Sequence, residues 1–355
     1  MARNRNLNSA GIAKADEFYT QLPVIEAELR HYRDHFRGKV ILCNCDDPYE
    51  SHFFRFFALN FNHLGLRRLI ATCYFGSPIA NTQISLFDHE SVEDKTTRAP
   101  HRLDIVEVDD YNGDGAFDLA DVEYLLRNRR NALQRLEGNG DFRSEECVEL
   151  LRQADIVVTN PPFSLFREYV AKLMEHEKQF IIIGNVNAIT YREKFPLIKA
   201  NRLWLGVSIH SGDREFPVPD SYPLEAAGFR VDENGVKYIR VKGVRWFTNL
   251  DYKERHCNLT LFKRYSPTEY TRYDNYDAIN VDKVADIPMD WPGVMGVPIT
   301  FLDRYNPEQF AIVGLIAGNI RGLAGIESKT GKDGPYIDGK LRYGRILVRR
   351  IGAAQ

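Results

Sequence analysis

Apolar and polar positions along this chain follow two periods, and the switches between them lay out a run of alternating helices and strands. Over residues 24–36 the apolar positions Val24, Ile25, Leu29 and Tyr32 keep the helical period, and Gly38 ends the pattern. Lys39-Val-Ile-Leu-Cys-Asn-Cys-Asp-Asp-Pro48 then reads as the first central strand, finishing in two acids and a proline. Residues 51–64 carry Phe53, Phe54, Phe56, Phe57 and Phe61 on almost every side, which predicts a buried helix closed by Gly65. Leu69-Ile-Ala-Thr-Cys-Tyr-Phe75 is a second strand, and strand–helix–strand at this spacing predicts a right-handed parallel crossover.

Residues 76–100 form a polar excursion, and 103–108 alternate as an edge strand does. A helix is expected over about 119–136, a break at Gly138-Asn-Gly-Asp-Phe142, and a short helix over 145–153. Ile156-Val-Val158 is a β-branched run of the kind buried in parallel sheets, followed by a helix over about 165–176 and the apolar strand Phe180-Ile-Ile-Ile183. Residues 236–241 and 259–265 read as paired strands around Val244-Arg-Trp-Phe-Thr248. From Ser266 tyrosines, prolines and glycines crowd together and regular periodicity fades. The expected architecture is therefore α/β: a Rossmann-like sheet domain over 1–265 and a distinct C-terminal part over 266–355.

Composition narrows the class. The chain of 355 residues is 44% hydrophobic and 27% charged, as in ordinary globular proteins, with a formal net charge of −2 that gives no overall pull towards nucleic acid. Five cysteines at 43, 45, 73, 147 and 257 make no Cys-x-x-Cys pair, which argues against a disulfide framework or a structural zinc site and fits the cytoplasm. No apolar run approaches membrane-spanning length, and the polar start carries no signal-like core. A cytoplasmic monomer is expected.

The candidate chemistry centres on Asp155-Ile-Val-Val-Thr-Asn-Pro-Pro-Phe-Ser164. Neither proline can donate to a sheet ladder, and each holds the residue before it extended. The strand therefore ends by presenting the Asn160 amide, the Pro161 carbonyl, Pro162 and the Phe163 ring beyond the carboxyl end of the sheet, where open α/β sheets bind ligands. Such a group suits methylation of an exocyclic amino nitrogen. Two carbonyl oxygens accept its hydrogens, fixed dipoles face the charge that grows on it, and an aromatic ring stacks on the base. By average residue usage, [Asn/Asp]-Pro-Pro-aromatic arises by chance on the order of 0.01 times in a chain this long.

An S-adenosylmethionine site needs acids for ribose and adenine and a close backbone turn. No glycine-rich turn follows the first strand; Asn44, Cys45, Asp46, Asp47 and Pro48 stand there instead, with a capped helix start as the plain alternative. Asp141 and Phe142, after a Gly-Asn-Gly turn, offer a carboxylate and a covering ring, and Tyr19 and Thr20 are candidates for the methionine end. A rival signal is a calcium-like loop in which Asp110, Asn112, Asp114, Gly115, Asp118 and Asp121 take loop positions 1, 3, 5, 6, 9 and 12. It lacks the preceding helix and the closing glutamate, so a glycine-rich helix entry is the alternative and no metal is expected. Trp246 and Phe247 can wall a base pocket or fill a core. The last 65 residues hold nine Lys/Arg against five Asp/Glu, and Arg345, Arg349 and Arg350 are candidate phosphate contacts.

Asp16-Glu-Phe-Tyr-Thr20, Cys43-Asn-Cys-Asp-Asp-Pro48, Gly140-Asp-Phe-Arg-Ser144, Thr159-Asn-Pro-Pro-Phe-Ser-Leu-Phe-Arg-Glu168 and Val244-Arg-Trp-Phe-Thr-Asn-Leu250 together resemble the EcoRI-type adenine-specific DNA methyltransferases, in that family's order. The resemblance covers most of residues 16–265. It implies a seven-stranded-type methyltransferase fold, S-adenosylmethionine as methyl donor and N6 of adenine in double-stranded DNA as acceptor. It also implies Asn160–Phe163 as the catalytic motif and Asp46, Asp47 and Asp141 at the cofactor. Apart from the resemblance, the composition shift at Ser266 and the basic tail make 266–355 the expected target-recognition and DNA-binding region. Two other readings of the residues stand beside it. One is an enzyme using the same motif on guanine N2 of RNA or a protein glutamine; the other is a non-catalytic DNA-binding partner of the same fold.

Overall fold

The computed structural model describes residues 20–45, 51–72, 100–111, 113, 120–121, 124, 133–210, 213–218, 228–318 and 320–352. The chain divides into two compact units, Met1–Val186 with Gly212–Leu250, and Asn187–Ser211 with Asp251–Gln355.

In the first unit the sheet is built on β1 (Val40–Cys43), β2 (Arg68–Thr72), β5 (Ile156–Thr159) and β6 (Gln179–Asn185). These run parallel in the order β2-β1-β5-β6. β1 and β5 are mostly Val, Ile and Leu because both sheet faces are covered there, and every residue of the two strands is buried. Antiparallel strands flank this centre. On one side β3 (His101–Ile105) pairs with β2 and β4 (Leu133–Arg135) with β3; on the other β11 (Val244–Thr248) pairs with β6. The strand order within the unit is β4-β3-β2-β1-β5-β6-β11, the mixed α/β sheet that the sequence leads one to expect. A separate antiparallel sheet joins β8 (Asp213–Pro217), β10 (Lys237–Lys242) and β9 (Phe229–Val231) in the order β8-β10-β9.

Helix α1 (Leu22–Leu29) starts with Pro23 in its first turn, where a missing N–H costs nothing, and packs against α2 (His52–Leu59). The Ser51 hydroxyl caps α2 by accepting from Phe54 N at 3.3 Å. Its phenylalanines meet edge to face, Phe57 at 5.2 Å from both Phe36 and Phe56. Helix α3 (Glu145–Gln153) has Ser144 as its cap and two glutamates in its first turn, where the helix dipole favours them. Helix α4 (Phe166–Glu175) follows the Asn-Pro-Pro-Phe motif directly.

The second unit holds the short helix α5 (Phe195–Lys199) and strand β7 (Trp204–Leu205). It also holds a four-stranded sheet of β12 (Ala278–Asn280), β13 (Val294–Val297), β14 (Phe310–Ile316) and β17 (Arg345–Arg350), in the order β12-β13-β17-β14. The hairpin of β15 (Tyr336–Ile337) and β16 (Lys340–Leu341) lies between β14 and β17 in sequence. Tyr273, Tyr276 and Ile337 share a core with Ile316 and Leu347, so the tyrosine crowding in the sequence is interior packing. A bulge at Ile312/Gly314 bends β14, and a Cβ on Gly314 would fall 1.9 Å from the Ala324 carbonyl.

The structure corrects three expectations. Residues 133–135, assigned to the end of a helix, are strand β4, pinned by pairing with β3. Residues 259–265 form no strand; β10 takes its partners from β8 and β9 instead. The first helix is broken after Leu29 by the 3₁₀ turn Arg30–Tyr32. The excursion at 76–100 lies outside the described residues apart from Pro100. Among the described residues no helix is long and apolar enough to cross a membrane.

The contact between α4 and the sheet is unusually close. A Cβ added to Gly184 on β6 would lie 2.4 Å from the Phe166 ring, which also packs on Phe247 at 5.0 Å. Gly184→Ala is therefore expected to force the ring away and lower stability by about 1–3 kcal/mol, read by denaturant titration. A variant as stable as the parent would show that α4 adjusts freely.

Candidate active site

Strands β1 and β5 are fastened to each other at both ends by side chains. At the start, Asp155 accepts from Val40 N at 2.8 Å, its own N–H donates to the Val40 carbonyl at 2.9 Å, and Arg67 pairs with the same carboxylate at 3.1 Å. At the other end the Thr159 hydroxyl donates to the Asn44 carbonyl, and the Tyr169 hydroxyl of α4 donates to Asn44 Oδ1. Burial pushes the Tyr169 hydroxyl well above its ordinary range, so it stays a protonated donor. Asn44 thus joins the carboxyl ends of both strands to the helix beyond them.

Asn160 follows at once, 2% exposed, with Pro161 and Pro162 also buried. Pro162 is extended (φ −53°, ψ 128°), and its carbonyl accepts from Leu165 N at 3.0 Å as the chain turns through Phe163–Leu165 into α4. Phe163 is half-buried, so its ring keeps an accessible part. The motif therefore stands where the sequence places it, at the end of a buried parallel strand.

Asp141 and Phe142 come to the same corner. Gly140 has a φ of +75°, a left-handed conformation that lets the chain turn before α3. Phe142 is buried edge-on against Tyr169, ring centroids 5.0 Å apart at 70°. The Asp141 carboxylate receives Arg143 through its backbone N–H at 2.9 Å, Nε at 2.9 Å and Nη2 at 2.6 Å, and Arg143 reaches Glu168 on α4 at 2.9 Å. This charge-assisted clasp fixes the orientation of the Asp141 carboxylate.

The turn after β1 has a glycine's backbone without a glycine. Cys45 adopts a φ of +73°, which costs a residue with a Cβ roughly 1–2 kcal/mol. Tyr19, Asp46, Asp47 and Pro48 lie outside the described residues. Thr20 is buried, and its hydroxyl has no hydrogen-bond partner among the described residues.

Other candidates fall elsewhere. Trp246 and Phe247 are core residues: Trp246 meets Phe53 edge-on at 6.0 Å, and Phe247 packs on Phe166. Alternation along β11 sends the two rings to opposite sheet faces, so they do not form one wall. The register sets Phe247 beside Ile182, the partner of Thr159, and Trp246 one residue further towards the carboxyl end of β6. Its indole N–H has no partner among the described residues. Arg345, Arg349 and Arg350 form no single basic patch. Arg345 opens β17 and pairs with Asp282 at 3.2 Å, while Arg349 and Arg350 close the strand and point to opposite faces. In the calcium-like loop Asn112, Asp114, Gly115 and Asp118 lie outside the described residues. Asp110 accepts from Gly113 N at 2.7 Å, and the buried Asp121 accepts from Tyr111 N at 2.7 Å. Both carboxylates serve as turn and helix-entry acceptors.

Tyr169, Thr159 and Arg143 were not singled out by sequence reasoning, yet they join Asn44, Phe142 and Asn160. The Asp-x-Arg spacing at 141–143 was a usable signal; a tyrosine on a helix face was not.

A model of the family described as adenine-specific methyltransferase EcoRI matches residues 6–351. The type II methyltransferase M.EcoRI of Escherichia coli is 44% identical, covering 98% of this chain and 97% of its own. The type II methyltransferase M.MpnI of Mycoplasma pneumoniae is 36% identical over 97% of both chains. M.MgeORF184P of Mycoplasma genitalium, also a type II methyltransferase, is 36% identical over 97% of this chain and 98% of its own. No solved structure matches.

Tyr169→Phe tests the clasp. It leaves the buried Asn44 side chain without this donor, so stability should fall by about 1–3 kcal/mol in denaturant titration. An unchanged midpoint would show that Asn44 is held by other means.

Proposed function

The chain belongs to the adenine-specific methyltransferase EcoRI family, and from that premise we propose that it transfers a methyl group from S-adenosylmethionine to N6 of adenine in duplex DNA, as a site-specific modification enzyme. The observation that carries this reading is Asn160-Pro-Pro-Phe standing at the carboxyl end of β5, beside the end of β1.

The N6 lone pair is delocalised into the purine ring and attacks poorly. In this reading the Asn160 side-chain oxygen and the Pro161 carbonyl accept the two amino hydrogens and favour a pyramidal nitrogen. Positive charge then grows on that nitrogen, and the two fixed dipoles stabilise it more in the transition state than before it. The accessible part of Phe163 stacks on the adenine, which must leave the helix to be reached. Closely packed prolines exclude water behind it.

S-adenosylmethionine supplies an electrophilic methyl group. Asp141 accepts from its adenine amino group, Phe142 covers the ring, and Asn44, Cys45 and Pro48 shape the turn beside it. Asp46 and Asp47 take the ribose hydroxyls, and Tyr19 and Thr20 the methionine end. Thr20 carries a buried hydroxyl without a partner among the described residues, as expected where a polar ligand supplies one. Residues 266–355 are proposed as the target-recognition part. Guanine N2 of RNA and protein glutamine are disfavoured, because the matching family is adenine-specific.

Tritiated methyl transfer to DNA, RNA and protein, followed by nucleoside analysis, tests the reaction. N6-methyladenine in duplex DNA is expected, and label in RNA or protein alone would overturn the proposal. Asn160→Ala should slow transfer by on the order of 10²–10³ while cofactor affinity persists; a near-parental rate would remove Asn160 from the chemistry. Asp141→Ala should instead weaken cofactor binding in calorimetry. Unchanged affinity there would place the adenine end elsewhere.

A further inference from the structure

The hairpin of β15 and β16 is short, yet it is held rigidly. Its turn, Asp338-Gly339, has positive φ at both residues, +53° and +71°, the arrangement that matches the twist of a two-residue hairpin. Asp274 accepts from both turn amides, Asp338 N at 3.2 Å and Gly339 N at 2.8 Å. The buried Asn275 accepts from Tyr336 N at 3.2 Å and donates to the Lys332 and Gly334 carbonyls at 2.9 and 2.8 Å. Leu341 packs into a seat made by two glycines, since a Cβ on Gly318 or Gly334 would come within 2.7 or 2.8 Å of its methyls. Arg342 N continues the pairing to the Pro335 carbonyl at 2.8 Å.

Such a mount would be wasted on a solvated loop. What it displays is Lys340, Leu341, Arg342 and Tyr343, all exposed, with Tyr343 at 82%. The nearby Arg345 is committed, half-covered and paired with Asp282 at 3.2 Å. Lys340 and Arg342 have no acidic partner among the described residues. Alternation points these two side chains to the same side, opposite the Leu341 seat, at a spacing of about 6.6 Å. That is comparable with the step between successive phosphates of one nucleic-acid strand. Between 321 and 345 the chain carries six Lys/Arg against three Asp/Glu, in a protein whose net charge is −2.

We propose that the segment Lys340–Tyr343 is a duplex-DNA backbone grip, in which Lys340 and Arg342 hold consecutive phosphates and Tyr343 contacts the adjoining sugar-phosphate. This deepens the reading of the chain as a DNA methyltransferase and rests on it. The grip fixes register on the duplex and carries no base sequence itself. It also moves the phosphate contacts away from Arg345, Arg349 and Arg350.

The test uses the full chain with S-adenosylmethionine and a fluorescein-labelled duplex of random sequence, read by anisotropy over a salt series. Two phosphate contacts contribute about 0.9 each to the log–log slope, so Lys340→Ala with Arg342→Ala should flatten it by roughly 1.8. At about 0.15 M salt that is a roughly 30-fold loss of affinity. Tyr343→Ala should weaken binding by about tenfold, whereas cofactor affinity and melting temperature should stay at parental values in both. Charge reversal, Lys340→Glu with Arg342→Glu, should abolish binding at the same salt. If the parent methylates DNA but all three variants keep its dissociation constant and slope, the grip is overturned and the methyltransferase reading stands. If the parent methylates no DNA, the reading beneath the grip fails, and the grip with it.

Discussion

The corner that holds the Asn160-Pro-Pro-Phe motif depends on one buried residue, Asn44. Its backbone carbonyl and its side-chain oxygen are taken by different elements, Thr159 at the end of β5 and Tyr169 on α4. Parallel strands end without a shared turn, so nothing local fixes the height of one carboxyl end against its neighbour. The two hydroxyls do that here, and Asp155 does the same at the other end of the strands. A one-residue slip of β5 would break these bonds and turn its side chains to the wrong face. Tyr169 also seats Phe142, which carries Asp141 with it, so one helix positions the Asn160 motif and the Phe142 ring together. Such a network holds its members together: a buried polar group that loses its partner costs more than the bond contributed.

Much of this fold was legible in the sequence because the central strands are buried on both faces and therefore continuously apolar. Helix α3 matches the expected span at both ends, since Ser144 supplies a capping hydroxyl and the Gly-Asn-Gly turn a clear break. The failures have physical causes. Residues 133–135 sit in an amphipathic run whose helical period was overruled by an available strand edge, β3. Residues 259–265 read like a strand, but their hydrogen bonds go to scattered partners: Leu259 exchanges both of its bonds with the Gln309 side chain at 2.7 and 2.8 Å, Lys263 O accepts from Met289 N, and Tyr265 N donates to Asp290. A glutamine side chain standing in for a neighbouring strand leaves no trace in periodicity.

At the candidate site, legibility followed chemistry. Asn160-Pro-Pro-Phe could be placed because prolines stop a ladder wherever they fall. Asp141 could be proposed as an acceptor, but its clasp by Arg143 and Glu168 could not be foreseen from a carboxylate after a glycine turn. The lack of a glycine after β1 suggested a different turn. Instead Cys45 takes up the left-handed backbone itself, so the geometry is kept and the usual residue is not. For Trp246 and Phe247 the core alternative holds. Adjacent aromatics invite a pocket, but period-two alternation must separate them, and both went to the core.

Net charge is a poor guide to partners in this chain because its cations are unevenly committed. Arg67 is tied to Asp155, Arg68 to Asp104 at 2.7 Å, Arg143 to Asp141, and Arg230 to Glu215 at 2.7 Å. Arg255 is buried over the Trp204 ring at 3.9 Å, acting as packing as much as charge. Each such pair cancels in the field that a distant polyanion feels. What steers a ligand is the cations that folding has not engaged, and these need not lie where the sequence is most basic. In β17 the densest run, Arg345–Arg350, is split between the two ends and both faces of a strand inside a sheet. A hairpin with fewer charges, mounted on Asp274, Asn275 and two glycines, holds Lys340 and Arg342 exposed. Rigid placement of unpaired charge, more than its local density, is what a regular array of phosphates can recognise.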